Sequence, residues 1–248
     1  MLTEPTMDKL KALKLDAMAS AWAEQQRDPK YAALAFDERF GLLVDAVWLE
    51  RENRRLTRTL KEAKLRLAQA CVEDLDTGAR RGLDRAVVQQ LATCRWVAEH
   101  HAVVVTGATG TGKTYVACAL AQHACRKGFR AIYRRATRLY DELRLAHADG
   151  TYGTVLRRLA KVDVLVIDDF ALTPLDERQR HDVLEVLEDR VGNRATVITS
   201  QVPSKLWHSL IGDPAIADAI LDRLVHGAHR IELKGSSRRT GPKEEEPK

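Results

Sequence analysis

The chain has 248 residues, 45% of them hydrophobic and 30% charged, with a formal net charge of +5 and a pI of about 9.1. That is the composition of an ordinary soluble globular protein, long enough to bury a core in one large domain or two modest ones. The four cysteines, Cys71, Cys94, Cys118 and Cys125, form no C-x-x-C pair and meet no histidine cluster, which argues against a zinc site or a disulfide framework. With no apolar leader and no run of membrane-spanning length, the expectation is a cytoplasmic protein without a membrane partner.

Residues 1–70 read as a small all-helical N-terminal domain. Leu10, Leu13, Ala17, Met18, Ala21 and Trp22 recur at helical spacing over residues 8–26, and Pro29 ends that helix. A second helix opens near Asp37, and Phe40, Leu43, Val44, Val47 and Trp48 fall on one apolar stripe. Its continuation over residues 51–66 carries Arg51, Arg54, Arg55, Arg58, Lys61, Lys64 and Arg66 against only Glu52 and Glu62, while Leu56, Leu60 and Leu65 keep an apolar side. A charge run is ordinarily a solvated face that mixes both signs. Here one sign dominates, which favours nucleic-acid contact through Arg51, Arg54, Arg55, Arg58, Lys61 and Lys64 over plain solubility. No aromatics interleave these bases, so duplex phosphates are favoured over stacked single strands.

Residues 71–84, polar with two glycines, read as a linker. Over residues 85–234 the pattern then alternates. A helix over 85–99 leads to a strand at 101–106 and a helix at 115–126. A strand at 130–134, a helix at 137–148, a strand at 162–168 and a helix at 177–191 follow. A strand at 195–199, a helix at 213–226 and a strand at 229–233 close the series. Five strands alternating with helices mean an α/β domain with a parallel sheet. The polar tail, residues 235–248, is expected to be disordered.

The chemistry begins after the first strand. Gly107, Ala108, Thr109, Gly110, Thr111, Gly112, Lys113 and Thr114 fit the phosphate-binding pattern G-x-x-x-x-G-K-[ST]. Glycines let backbone N–H groups converge on a phosphate, Lys113 supplies a point charge for the β- and γ-phosphates, and the Thr114 hydroxyl can ligate Mg²⁺. Tyr115 opens the helix whose positive end faces the phosphates. The apolar strand ending in Asp168 and Asp169 puts Asp168 beside that Mg²⁺ and lets Asp169 reach the attacking water. A strand inserted between these two would bring Thr199 or Ser200 near the γ-phosphate, although strand-end hydroxyls also simply start turns. Arg223, beside Asp222 on an apolar helix, reads either as a surface ion pair or as an arginine offered to a neighbouring subunit's nucleotide.

Together with residues 107–114 and 164–169, the segments Gly212-Asp213-Pro214 and Leu221-Asp222-Arg223-Leu224-Val225-His226 resemble the IstB transposition helper ATPases. These are AAA+ proteins related to the helicase loader DnaC. The N-terminal segments Phe36-Asp37-Glu38-Arg39 and Arg51-Glu52-Asn53-Arg54-Arg55-Leu56 are similar to that family as well. The resemblance implies a lid-less AAA+ domain behind a helical N-terminal domain, and ATP-driven homo-oligomers that deform duplex DNA for a partner transposase. It implies Lys113, Thr114 and Asp168 at ATP and Mg²⁺, Thr199 or Ser200 as sensor, and Arg223 acting in trans. Asp169 stands where many AAA+ proteins carry Glu, which predicts slow hydrolysis. A helicase loader is the nearest alternative, and a DNA-binding scaffold without significant turnover is another. A small-molecule phosphotransferase would need an arginine-bearing lid and an acceptor pocket, and the sequence offers neither.

Overall fold

The computed structural model describes residues 3–78, 81–225, 227–235 and 237. The chain divides into two compact units, Met1–Arg58 and Thr59–Lys248. The division thus falls about a dozen residues before the expected end of the helical domain at residue 70.

The smaller unit begins with α1 (Thr3–Ala12) and α2 (Asp16–Arg27). The single helix expected over residues 8–26 is broken. Lys14 sits at φ 57° and Leu15 N–H donates to the Leu10 carbonyl at 2.9 Å, a left-handed C-cap of the kind glycine usually makes. Asp28 then caps a 3-10 turn, Pro29–Ala33, by accepting from Lys30 N–H at 3.0 Å. The next helix, α3 (Phe36–Ala63), runs through 28 residues and continues into the larger unit. Lys64, at φ 51°, ends it short of Arg66.

Residues 71–84, expected as a linker, belong to the larger unit. A 3-10 turn forms at Val72–Asp74, and Val72 and Leu83 are buried. The helix expected over 85–99 is likewise two, α4 (Arg85–Ala92) and α5 (Arg95–Ala98), because Cys94 turns left-handed at φ 57°.

From there strands and helices alternate: β1 (Ala102–Gly107), α6 (Lys113–Arg126), β2 (Ala131–Arg135), α7 (Ala136–Asp149), α8 (Tyr152–Lys161), β3 (Val164–Asp168), α9 (Glu177–Glu188), β4 (Ala195–Ser200), α10 (Trp207–Ile211), α11 (Pro214–Val225) and β5 (His229–Leu233). Helices α8 and α10 are additions to the expected series. The all-parallel sheet has the order β2-β3-β4-β1-β5, so β4 lies between the loop-bearing strand and the acid-bearing strand. Val103, Val105, Val164, Val166 and Val197 are fully buried in this sheet, as strands covered on both faces must be. The Gly-Asp-Pro segment is turn chemistry: Gly212 at φ 79° ends α10, and the Asp213 carboxylate caps α11 by accepting from Ile216 N–H at 2.9 Å.

Under the strands' N-terminal ends, the buried Arg190 guanidinium donates to the carbonyls of Leu159, Val162 and Ala195 and to Thr196 Oγ1. Among the described residues no helix follows β5, and none is long and apolar enough to cross a membrane. Of the polar tail only Gly235 and Ser237 are described, and Ser237 packs on Gly110. Arg238, Arg239 and residues 240–248 lie outside the described residues, as does His226.

Candidate nucleotide site

The phosphate loop leaves β1 without a break. Gly107 at φ 150° and Gly112 at φ 98° hold conformations that a Cβ disfavours, and a Cβ on Gly107 would meet the Leu233 carbonyl at 2.5 Å. Thr111 Oγ1 and Lys113 Nζ both donate to the Ala108 carbonyl, each at 2.8 Å. Lys113 is the first residue of α6 and is only 6% exposed. The helix therefore delivers its positive end and a buried ammonium to the same place.

This loop walls an open cleft of about 210 Å³. Residues 109–114, Asp169 and Gln201 line it. Leu67, Leu75, Leu83, Tyr115, Val116 and Leu233 also line it, together with Asp74, Asp76 and Arg81. The stretch expected as a linker thus supplies part of the wall. It is tied down there: Arg81 Nη2 donates to the Thr111 carbonyl at 2.9 Å, and Cys71 N–H donates to Tyr115 Oη at 3.5 Å.

Asp168 is fully buried at the end of β3 and gathers the loop's neighbours. Its carboxylate accepts from Thr114 Oγ1 at 3.0 Å, from Thr199 Oγ1 at 2.5 Å and from Tyr133 Oη at 2.5 Å. Burial and the Asp168 carboxylate together push the Tyr133 pKa up, so its hydroxyl stays a donor. One carboxylate beside one hydroxyl is the protein's share of a magnesium site, which completes its shell with water and substrate phosphates. Among the described residues no group of three or more His, Cys, Asp or Glu could hold a metal by itself.

Asp169 takes a left-handed backbone, φ 58°, with its N–H donating to Thr199 Oγ1 at 3.0 Å. That geometry turns its carboxylate into the cleft, where Arg135 Nε donates at 3.0 Å and Gln201 Nε2 at 3.3 Å.

The two candidate sensor hydroxyls do not line the cleft. Thr199 and Ser200 are fully buried, the first bonded to Asp168 and the second donating to the Phe170 carbonyl at 2.7 Å. The residue of β4's end that does line it is the next one, Gln201, whose Oε1 accepts from Thr109 Oγ1 at 2.6 Å. Sequence reasoning passes over Gln201, Tyr133, Arg135 and Arg81. The only mark on Gln201 is that it continues a strand ending in polar residues.

Arg223 stands apart from this cleft. It lines a second cavity with Ala102 and Thr196, at the N-terminal ends of β1 and β4, whereas the phosphate loop follows their C-terminal ends. Its Nη2 donates to Glu188 at 2.8 Å and its Nη1 to the Ala219 carbonyl at 2.9 Å. The six residues of β1 separate it from the loop by about 16–20 Å, beyond the reach of its side chain. Arg51, Arg54, Arg55, Arg58 and Lys61 on α3 are all exposed, as is Lys64 just past its end. Arg54 pairs with Glu50, and Arg55 with Glu52 at 3.1 Å.

The glycine loop after β1, the buried acid after β3 and the strand order between them define an AAA+ P-loop fold. The chain belongs to the family described as IstB-like ATP binding protein, which it matches over residues 8–246. It is 46% identical over 239 residues to the insertion sequence ATP-binding protein y4pL of Sinorhizobium fredii, covering 96% of this chain and 97% of that one. It is 48% identical over 204 residues to the IS1162 ATP-binding protein of Pseudomonas fluorescens, covering 82% and 88%. Among solved structures it is similar in fold to the DnaC helicase loader, with TM-score 0.56 at 18% identity over 66% of this chain and 97% of that one. It is also similar to DnaA bound to AMPPCP and single-stranded DNA, with TM-score 0.55 at 17% identity over 68% and 50%.

Proposed function

We propose that the chain is an ATP-hydrolysing switch of an insertion sequence, which assembles on duplex DNA in the cytoplasm and serves the element's transposase. The observation that carries the ATPase reading is the 3.0 Å contact between Thr114 Oγ1 and the buried Asp168 carboxylate beside the glycine loop. It brings together, from separate strands and helices, the two groups that a magnesium–nucleotide site needs from protein.

In this reading the backbone of residues 107–112 and Lys113 hold the β- and γ-phosphates, and Thr114 and Asp168 hold Mg²⁺. The metal, when bound, neutralises phosphate charge. Tyr133 and Thr199 fix the Asp168 carboxylate by donating to it, and Thr199 also fixes the Asp169 backbone. Asp169 orients or deprotonates the attacking water, and Gln201 senses the γ-phosphate in place of Thr199 or Ser200. Asp169 must leave its ion pair with Arg135 to act as a base, which agrees with slow turnover. Arg223 acts on a neighbouring subunit's nucleotide, since its own lies out of reach, and Glu188 holds its guanidinium until the neighbour arrives.

The exposed bases of α3 support contact with duplex DNA, and the insertion-sequence names of the relatives support a transposase partner. The test is ATP turnover with and without duplex DNA, followed by co-purification with a transposase of the same kind of insertion sequence. DNA-stimulated turnover and ATP-dependent co-purification are expected. A protein that binds ATP yet ignores DNA would overturn the DNA part of the reading.

A further inference from the structure

Of the seven bases on residues 51–66, Arg66 is the one without a place in this scheme. The chain around it is pinned on both sides, since Ala63 and Ala70 are fully buried. Between these anchors Lys64 turns the backbone at φ 51°, the backbone at Arg66 and Leu67 faces the Cys118 thiol of α6, and Leu67 lines the cleft. The turn sends the Arg66 side chain inward, and its Nη1 lies 3.7 Å from Asp168 Oδ2. The arginine remains 43% exposed while the aspartate has no exposure.

Three hydroxyls already donate to Asp168, but neutral donors leave its charge uncompensated in a buried site. Arg66 brings a cation to within 3.7 Å of it. A divalent ion on the same carboxylate would repel it, and the arginine's exposed side gives it room to withdraw.

We propose that Arg66 is a resident counter-cation for Asp168 that competes with magnesium and so sets the metal concentration at which nucleotide is bound. This rests on the assignment of Asp168 to the metal. It makes Arg66 a positioning residue, acting through the carboxylate and not on the substrate.

The experiment measures binding of a fluorescent ATP analogue to the full chain as magnesium is varied. Arg66→Met, Arg66→Lys and Asp168→Asn are compared with the unaltered protein, their folding checked by thermal melts. Arg66→Met should lower the half-saturating magnesium concentration roughly tenfold, with nucleotide affinity at saturating magnesium unchanged. Arg66→Lys, which keeps the charge, should stay near the unaltered protein. An unchanged magnesium midpoint in Arg66→Met overturns the proposal. So does a fall in nucleotide affinity at saturating magnesium, which would make Arg66 a phosphate ligand. Asp168→Asn separates the two layers. If it keeps the full magnesium dependence, the metal assignment fails and the proposal with it; if it loses that dependence while Arg66→Met has no effect, only the proposal fails.

Discussion

In the larger unit the apolar runs disappear from solvent: β1, β3 and β4 are walled in, and Trp207 and Phe170 meet edge to face with their ring centroids 5.0 Å apart. In the smaller unit the same kind of periodicity leaves its residues outside. Among the described residues through Arg58 only Ala19 is buried, while Phe36, Phe40, Val44 and Trp48, each four positions after the last along α3, are exposed. Helical periodicity specifies that one face is apolar; it does not specify what covers that face. The larger unit folds around its own interior, whereas α3 offers its apolar row and its basic row together.

Lys113→Ala should abolish ATP binding, because the backbone nest alone cannot balance the β- and γ-phosphates. Retention of labelled ATP at normal affinity would refute the site. Arg223→Ala should bind ATP but lose turnover by up to about 10³-fold, the low end of a trans-acting arginine's effect. Mixing it with Lys113→Ala should restore some activity in verified mixed oligomers, since each variant keeps the half-site the other lacks. Activity that stays absent would count against the trans arrangement.

Packing sharpens the contrast at the next level. Trp207→Ala in the core should cost about 3–5 kcal/mol in urea unfolding, and Trp48→Ala on α3 within about 0.5 kcal/mol. Equal losses would mean that the exposure of α3 is misread. The smallest effect concerns the bases: reversing charge at Arg54, Arg55 and Arg58 should flatten the slope of log K against log salt by about 2.7, with ATP binding spared. An unchanged slope would move the DNA contact to the larger unit.

The sheet and its loop are legible in the sequence because buried parallel strands are continuous apolar runs and the phosphate pattern has fixed spacing. The breaks at Lys14, Lys64 and Cys94 are not, since a left-handed turn at a non-glycine residue leaves no compositional mark. Helix α8 carries Val155, Leu156 and Leu159 at helical spacing, but Arg157, Arg158 and Lys161 and the glycine at 153 blur it. In the site, Asp168 and Lys113 follow from strand ends and motif. Tyr133, Arg135 and Arg66 reach the two aspartates only because β2 pairs with β3 and the chain doubles back after Ala63, which no local pattern records.

The wall of the cleft also fixes when the site can exist. Lys234 N–H donates to the Arg81 carbonyl at 2.9 Å, Gly82 lies against Glu232, and Arg81 in turn holds the Thr111 carbonyl. Segments more than 150 residues apart in sequence therefore meet at the phosphate loop. Contacts of such separation form late, after the entropy of closing the intervening chain has been overcome. During synthesis the loop emerges well before β5, so a nascent chain carries the motif long before it carries the pocket. Nucleotide binding thus reports completion of the fold, and a chain cut ahead of β5 keeps the signature without the wall that makes it a site.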